Sequence, residues 1–407
     1  MHVKLLLVVW NFSHTVMLPF DMYYFYWPLR EALLRGWEAE VLTFQVNEMQ
    51  PEEEVIDGIR VRRCPAGTRA GKPFSWPFMQ ALLTTDADVI YCHGYGEGRS
   101  ELAILLGRLR RRTVIFAPHL HVYPYRRPLR ALYDRTVGCF FLNTSTRVIV
   151  FTDYTYRQLL ALGVKSQNMR VIPHVARPDI FANSTTQEPG TLLREAGVTG
   201  SPLLLGVGQL IERKGWEYTV RCLPIIAERF PAAKLLIIGP SKPAEPAFEQ
   251  CLWQLADELG VSQHLQILQD NTPEFILDAY RCATLLTHPS FVESFGMVIL
   301  EAMTAGKPIV AHNGTGIPCI IDDSVTGYVV DVRNVPLYSE KLLALLRDPL
   351  LRLRMGEAAQ LQAATRFSQT EIAAQLFASF DEALGPVRAG ATWASISPTE
   401  QEIVSKH

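Results

Sequence analysis

The chain carries two glutamates, Glu293 and Glu301, that are separated by seven residues along a short apolar run. A proline and a glycine interrupt the chain just before that run, so the sequence predicts a helix that begins at about residues 294–296 and contains Glu301. Over eight helical steps the two carboxylates would lie about 12 Å apart, which is too far for both to touch one reacting atom. The spacing instead fits two ends of one extended ligand, with the amides of the helix start as a phosphate site between them.

Glu301 has an alternative interpretation, because a helical glutamate is most often solvated and Glu293 could simply stabilise the helix dipole. The neighbours of Glu301 argue against that interpretation, since they make the helix apolar on most sides: Val298, Ile299, Leu300, Ala302 and Met303. A carboxylate in such a helix is expected to line a cleft.

A second charged segment follows the apolar run 203–207, which the sequence predicts as a strand. This segment contains Arg213, Lys214 and Gly215, and a helical pattern begins directly after it. This order of elements would suit a diphosphate site: a strand, then a turn with two cations, then the start of a helix. The lysine would act as a point charge, and the planar guanidinium of the arginine could donate two parallel hydrogen bonds. The alternative is an exposed charged turn. The segment is not a P-loop, because glycine follows the lysine.

These two segments resemble the signature of retaining glycosyltransferases of family 4, which have the GT-B fold. The resemblance lies in the two glutamates, in the run Glu-Ala-Met-Thr-Ala-Gly-Lys-Pro that begins at Glu301, and in Lys214-Gly215. It covers about residues 1–385. It implies an α/β protein with two doubly wound, Rossmann-like domains that face each other across a cleft, and a sugar donor bound mainly by the second domain.

The resemblance also implies roles for individual residues. Glu293 is expected to be catalytic by orienting the transferred sugar, and Glu301 is expected to accept hydrogen bonds from the donor ribose. The donor phosphates are expected to bind to four residues of the two segments: Arg213, Lys214, Phe295 and Gly296.

His119 follows a predicted strand in the sequence Phe-Ala-Pro-His-Leu-His. A single histidine at such a place is most often structural, and His119 with His121 and His93 could alternatively form a metal site. The resemblance implies instead that His119 is catalytic and lies beside the reacting sugar. No Asp-x-Asp motif marks a metal-bound diphosphate, so we expect no metal and no cofactor, with a nucleotide-sugar as the donor substrate.

Three features depart from the family pattern. Gln209 stands where the family usually has an arginine that meets the donor phosphates, and Arg213 could supply the missing charge. Cys319 stands where the family often has a glutamate, and the loop from Asn11 to Asp21 lacks the usual glycine pair. The departures therefore concern the phosphate and acceptor ends of the expected site.

The length of 407 residues predicts two domains, because single cores stop growing at about 250 to 300 residues. Apolar runs alternate with helical patterns in both halves, which predicts two parallel sheets covered by helices. The predicted strands lie at residues 3–10, 39–44, 89–91, 113–116, 147–151, 203–207, 234–238, 265–268, 284–287 and 308–311.

The domain boundaries follow from composition and from the resemblance. A stretch rich in Gly, Pro, Ser and Thr at about 183–202 predicts a linker. We therefore predict an acceptor-binding domain over 1–185 and a nucleotide-sugar-binding domain over 200–367. In the resembling family the last helix, predicted here at 368–385, packs back on the N-terminal domain. Residues 386–407 are predicted to form a flexible tail.

The formal charge of −2 argues against a general nucleic-acid binder, but the charge is uneven. Residues 1–185 contain 22 lysines and arginines against 16 acids, whereas the remainder contains 17 against 25. Nine arginines lie within residues 99–135, interleaved with leucines. This pattern suits either a solvated helix that packs on a sheet or a surface for anionic lipid or an anionic acceptor.

Seven cysteines, never closer than 28 residues apart, show no zinc or redox spacing. They predict a reducing, cytoplasmic environment, with peripheral attachment at the inner membrane face as an option. Residues 3–10 resemble a short signal segment but are better interpreted as a buried strand. No run reaches the 18 apolar residues of a spanning helix.

The resemblance thus implies a retaining hexosyltransferase of glycan biosynthesis that moves a sugar from a nucleotide-diphosphate sugar to a saccharide or lipid-linked acceptor. Three alternatives remain: a GT-B-fold nucleotide-sugar epimerase, a glycogen-type synthase or phosphorylase, and a non-catalytic nucleotide-sugar-binding protein, which the glutamine at 209 would favour.

Overall fold

The computed structural model describes residues 3–12, 23–45, 50–65, 67–69, 72–120, 128–177, 181, 188–240, 247–269 and 272–385. The described chain forms two compact units. Of the described residues, the first unit contains those up to Phe151, those from Thr155 to Ile172 and those from Ile372 onward, and the second contains Thr152–Tyr154 and those from Pro173 to Glu371. Each unit is an α/β layer structure built on its own sheet.

The strands of the first unit are β1 (Lys4–Val8), β2 (Glu38–Phe44), β3 (Glu53–Ile56), β4 (Ile59–Cys64), β5 (Gly67–Arg69), β6 (Lys72–Phe74), β7 (Val89–His93), β8 (Thr113–Ala117), β9 (Arg147–Val150) and β10 (Met169–Val171). β5 and β6 form a separate antiparallel pair. The other eight make one sheet in the order β10-β9-β8-β7-β1-β2-β4-β3. Within it β3 and β4 are antiparallel and the remaining neighbours are parallel.

The first unit's helices are α1 (Tyr23–Leu34), α2 (Trp76–Thr84), α3 (Arg99–Leu109), α4 (Pro128–Tyr133), α5 (Cys139–Thr144) and most of α6 (Asp153–Ala161). A π-helical turn, Asp134–Gly138, joins α4 to α5. Alternate strand residues such as Leu6, Ile90 and Phe116 form a core with residues of α2 and α3. This arrangement is expected where a mostly parallel sheet is covered by helices.

The second unit has a six-stranded, all-parallel sheet. Its strands are β11 (Leu203–Val207), β12 (Lys234–Ile238), β13 (Leu265–Leu268), β14 (Leu285–His288), β15 (Ile309–His312) and β16 (Gly327–Val330). They lie in the order β13-β12-β11-β14-β15-β16. β11 and β14 are therefore neighbours although they are far apart in sequence, and their carboxyl ends meet at one edge of the sheet.

The second unit's helices are α7 (Thr191–Glu195), α8 (Trp216–Arg229), α9 (Phe248–Glu258), α10 (Pro273–Cys282), α11 (Met297–Thr304), α12 (Val335–Arg347) and α13 (Pro349–Arg366). The core contains the fully buried Trp216 and Tyr338 among the aliphatic residues of the sheet. The two segments that the sequence singled out follow β11 and β14, which are central strands of this sheet. The buried core therefore holds the starting point of each segment in place.

The last described helix, α14 (Gln369–Leu384), lies mainly in the first unit. Ser368 caps its start by accepting a backbone hydrogen bond at 3.2 Å. The Phe377 ring packs on Trp37 with a centroid distance of 5.2 Å, and Phe380 packs on Tyr91 at 5.3 Å. The helix thus completes the first unit's aromatic core.

The chain leaves the first unit between Ile172 and Pro173, which is earlier than the predicted domain end at 185 and the predicted linker at 183–202. The physical reason is a backbone hydrogen bond of 2.8 Å from Ala176 to the carbonyl of Phe367, which attaches this segment to the second unit.

All ten predicted strand runs are strands in the structure. The predicted tail at 386–407 and most of the loop at 11–21 lie outside the described residues. Among the helices that the structure describes, none is both long enough and apolar enough to cross a bilayer.

Candidate active site

Lys214 and Glu293 form a buried ion pair at the carboxyl edge of the second unit's sheet. Lys214 ends a 3-10 turn, Glu212–Lys214, that follows β11, and Glu293 follows β14. The lysine Nζ lies 2.5 Å from Glu293 Oε1, and the two side chains are 9% and 11% exposed. The sequence predicted the two residues for the same site, and the structure brings them together.

His288 completes this group and was not singled out from the sequence. It is the last residue of β14, its side chain is fully buried, and its Nε2 lies 3.2 Å from Glu293 Oε1. Burial lowers the pKa of His288 although Glu293 opposes that shift, so the ring is neutral at pH 7. Since the carboxylate can only accept, we assign the ring proton to Nε2. Nδ1 is buried without a hydrogen-bond partner in the described part of the chain.

The charge of Glu293 is set by its neighbours. Burial alone would raise the pKa of its carboxyl, but the Lys214 ammonium and His288 outweigh that cost and hold the pKa well below its usual range. Glu293 is therefore an ionised carboxylate in a largely dehydrated place. A fixed anion of this kind can orient hydroxyl groups of a ligand.

The backbone of Glu293 is held by a neighbouring loop. The amide of Glu293 donates to Thr315 Oγ1 at 2.8 Å, and the Thr315 hydroxyl donates to the Glu293 carbonyl at 2.9 Å. Gly316 donates its amide to the same carbonyl at 3.3 Å. This loop leads to Cys319, one of the departures from the family pattern, and sequence reasoning assigned no role to Thr315.

Gly215 explains why the turn can approach the loop before Glu293. It adopts φ 67°, which favours glycine, and a Cβ there would lie 2.6 Å from the carbonyl oxygen of Pro289. The pairing of lysine with a following glycine therefore has a steric cause.

Arg213 braces the same loop and was predicted to bind phosphate. Its Nη1 donates to the carbonyl of Val292 at 3.1 Å, and its own carbonyl accepts from the amide of Phe291 at 3.0 Å. The half-buried guanidinium thus lies against the segment that carries Glu293.

The predicted helix start is also present. α11 begins at Met297 after Gly296, which has φ 110°. Phe295 is 2% exposed, and its ring packs edge-on against His174 with a centroid distance of 5.0 Å. The amides at such a start have no acceptor within the helix and carry the positive end of its dipole. They can therefore bind an anion next to the Lys214 and Glu293 pair.

Glu301 lies inside α11 and is 7% exposed. The fully buried Tyr280 of α10 donates its hydroxyl to Glu301 Oε2 at 2.7 Å. Burial, with the nearby Glu301 charge, raises the pKa of Tyr280 well above its usual value, so the hydroxyl remains a donor. Tyr280 fixes the direction of this carboxylate, a role that the sequence did not indicate.

His119 belongs to the first unit, where it follows β8 with φ 47°. Its Nε2 lies 2.7 Å from Nδ1 of His93, so one ring donates and the other accepts. The rings of Tyr24 and Phe151 lie beside it at 5.4 and 4.8 Å. His121, the third histidine considered for a metal, lies outside the described residues.

The glutamine at position 209 contributes its backbone to the fold of the turn. Its carbonyl accepts a hydrogen bond of 3.0 Å from the indole of Trp216, and the residue is half-buried. The backbone of Gln209 thus helps to hold the turn against the start of α8.

Two family models match this chain. The model described as Glycosyl transferases group 1 matches residues 194–362, and the model described as Glycosyl transferase 4-like domain matches residues 26–174. The two matches fall largely in different units, the first in the second unit and the second in the first.

Several curated proteins are similar to this chain. A D-inositol 3-phosphate glycosyltransferase from Nocardia farcinica is 31% identical over 385 residues, which cover 87% of this chain and 82% of that protein. One of the same name from Corynebacterium jeikeium is 32% identical, but the matched part spans only 58% of that relative's length and 59% of this chain.

Solved structures share the fold. A sucrose-phosphate synthase from Thermosynechococcus elongatus has a TM-score of 0.75 at 19% identity and covers 93% of this chain and 98% of its own. A protein from Anabaena in complex with UDP and glucose has a TM-score of 0.74 at 18% identity and covers 93% of this chain and 99% of its own.

Proposed function

Because this chain belongs to glycosyltransferase family 4 and has the GT-B fold, we propose that it transfers a hexosyl unit with retention of anomeric configuration. The donor is a nucleoside-diphosphate sugar, and the acceptor is a hydroxyl group of a saccharide or of a lipid-linked acceptor. The relatives named above are transferases, so an epimerase or a non-catalytic binding protein is not favoured.

The observation that carries this proposal is the buried pair of Lys214 and Glu293 just ahead of the start of α11. When the bond from the anomeric carbon to the diphosphate breaks, its electron pair stays on the diphosphate and adds negative charge there. The ammonium of Lys214 and the amides near Phe295 and Gly296 stabilise that charge, because they are fixed before the reaction begins.

The two glutamates hold opposite ends of the donor in this proposal. Glu301 accepts hydrogen bonds from the ribose hydroxyls, and Tyr280 keeps its carboxylate in place. Glu293 accepts hydrogen bonds from the sugar hydroxyls, and the hydrogen bond from His288 holds its carboxylate in place. A catalytic role for His119 is part of this proposal only because the family resemblance implies it.

We propose that no metal or cofactor takes part. The lysine, Arg213 and the helix start supply the positive charge that a divalent cation supplies to a diphosphate in other sites. We place the protein in the cytoplasm, since its seven cysteines are all free thiols and several are core residues.

The test combines binding with turnover. A panel of UDP-, ADP- and GDP-hexoses is screened by thermal shift, because a ligand that binds the folded state raises its stability. The stabilising donor is then incubated with candidate acceptors, including saccharides and the cyclitol D-inositol 3-phosphate, and nucleotide release is measured with and without acceptor. We expect acceptor-dependent release and a product whose anomeric NMR signal matches the donor configuration.

Two outcomes would contradict the proposal. Donor binding without acceptor-dependent release would indicate a binding protein, and an inverted anomeric signal would exclude retention.

A further inference from the structure

Large apolar side chains are exposed along one helix of the first unit. α4, the π-helical turn and α5 follow one another without a break from Pro128 to Thr144. Along this segment Leu129 is 81% exposed, Leu132 59%, Val137 45% and Phe140 57%. We call these four residues the apolar stripe.

The spacing of these four residues places them on one side of the helix. Leu129 and Leu132 are three residues apart, as are Val137 and Phe140, and residues at that spacing are neighbours on a helix surface. Leu132 and Val137 are five apart, which in an ordinary α-helix would rotate one away from the other. The π turn between them has hydrogen bonds between residues five apart, so it brings the two halves of the stripe back into line.

The opposite side of this helix is fixed by Tyr95. The Tyr95 hydroxyl donates to the buried Asp134 at 3.0 Å, and its ring packs so closely on Gly138 that a Cβ there would overlap the hydroxyl oxygen. Both residues belong to the π turn. The tyrosine therefore determines which side of the helix is buried, and the apolar stripe is left on the outer side.

The surroundings of the stripe are cationic. Arg130 and Arg135 are exposed on the same helix, and Arg108 and Arg111 are exposed on and just after the neighbouring α3. The acid on the helix itself, Asp134, is buried and accepts from Tyr95 and Arg130.

The neighbouring helix α3 also exposes leucines beside arginines. α3 packs against α5 and carries Leu105 and Leu109, which are 48% and 74% exposed. Its acid, Glu101, is buried and accepts two hydrogen bonds from the backbone at the helix start. The surface therefore presents leucines and arginines together, with its acids turned inward.

We propose that the apolar stripe docks this protein on the surface of an anionic phospholipid bilayer. The leucine and phenylalanine side chains enter the boundary between headgroups and acyl chains, and the arginines meet lipid phosphates. A second copy of the chain is a poorer occupant, because a twofold contact through this face would place its arginines against the same arginines. The inference does not depend on the proposed transferase activity.

The structure places this surface differently from the arginine cluster that the sequence singled out at 99–135. Arg110 donates to the backbone carbonyl of Thr85, and Arg112 lies 3.9 Å from Asp88. These two arginines are used within the fold. Arg126 and Arg127 lie outside the described residues, and the stripe reaches beyond the predicted range to Phe140.

The experiment compares two triple variants of the full-length protein by sedimentation with vesicles. In the stripe variant Leu129, Leu132 and Phe140 are changed to serine. In the matched control three leucines of α13 with similar exposure are changed to serine: Leu350, Leu353 and Leu361, which are 71%, 56% and 65% exposed. Vesicles contain phosphatidylcholine alone or phosphatidylcholine mixed with phosphatidylglycerol. Thermal melting checks that each variant is folded.

We expect wild type and control to sediment with the mixed vesicles, to bind less to phosphatidylcholine alone, and to be released in part by salt. The stripe variant should bind about tenfold more weakly, with no change in the thermal shift given by a nucleotide-sugar. Equal binding by both variants, or no binding of wild type to the mixed vesicles at low salt, would overturn the inference. If the stripe variant instead turns a dimer into a monomer in light scattering, the face is an interface between copies.

Discussion

Replacement of Lys214 by methionine should reduce activity and stability through the same atom. Methionine keeps most of the apolar stem but removes the ammonium that lies 2.5 Å from Glu293. Loss of one preorganised donor to a developing charge typically costs about 3 kcal/mol in the transition state. We therefore expect kcat/KM for donor to fall by about two orders of magnitude.

The stability effect follows from the carboxylate that remains. Removing one partner of a buried ion pair typically costs about 3 to 5 kcal/mol, because the other charge stays buried and uncompensated. In the wild type the pKa of the Glu293 carboxyl is lowered. Its contribution to folding stability is therefore fully present above the ordinary pKa of 4.5 and is lost as the pH falls through the pKa in the folded state. In the variant the effect of burial, which raises the pKa, is no longer outweighed by Lys214. The sign of the pH dependence should then reverse.

Urea unfolding between about pH 8 and pH 5 measures this reversal. At pH 8 the free energy of unfolding of the variant should be far below that of the wild type. The difference between the two free energies should decrease toward pH 5, because the carboxyl of Glu293 takes up a proton in the variant. A second variant that combines Lys214→Met with Glu293→Gln removes both charges. It should recover most of the stability, because replacing a buried pair entirely is often nearly neutral, but it should not recover activity.

Lys341→Met is the matched control, since Lys341 forms an ion pair of 3.1 Å with Glu340 on the surface. It should change stability by less than about 1 kcal/mol. If the double variant loses as much stability as the sum of the single changes, Lys214 and Glu293 are not coupled. If Lys214→Met keeps near-normal kcat/KM, the lysine does not meet the leaving group.

The other predictions concern the two glutamates and the residues that hold them. Glu301→Gln should raise KM for donor with kcat little changed, because it weakens the contact with the ribose. Tyr280→Phe should have the same effect more weakly, because it releases the carboxylate of Glu301. A fall in kcat alone in steady-state kinetics would contradict this prediction. Glu293→Gln should lower kcat more than donor binding, and equal behaviour of the two glutamine variants would refute the idea of two ends of one ligand. His288→Leu should lower kcat about tenfold or more through loss of a charged hydrogen bond, while His288→Gln, whose amide can replace Nε2, should keep most of it.

Five of the six strands in the second unit's sheet could be predicted from sequence because they are continuous apolar runs between turns, whereas β16 was missed. The strands at 203–207, 234–238 and 265–268 have the predicted bounds. The β3–β4 hairpin was missed because its strands are rich in charge, as expected for the edge of a sheet. Its turn, Asp57-Gly58, has both residues at positive φ and is a hairpin signal that the sequence did contain.

The candidate site was predictable only in part. The two glutamates and the lysine belong to segments with a spacing that can be recognised. His288 and Tyr280 act through contacts made by the folded chain: one strand end meets a loop, and one helix meets another. The one signal for His288 was a polar residue at the end of a buried strand, directly before Pro-Ser.

The position of α14 in the first unit has a consequence for how the protein is made. Phe377 and Phe380 cover Trp37 and Tyr91, so the interior of the first unit is completed by residues that are translated after the whole second unit. While the second unit is being synthesised, the first unit therefore lacks the rings that pack on Trp37 and Tyr91, and this part of its aromatic surface stays uncovered. Chaperones therefore have a defined target during translation, and a chain terminated before residue 372 would be defective in the unit that was translated first.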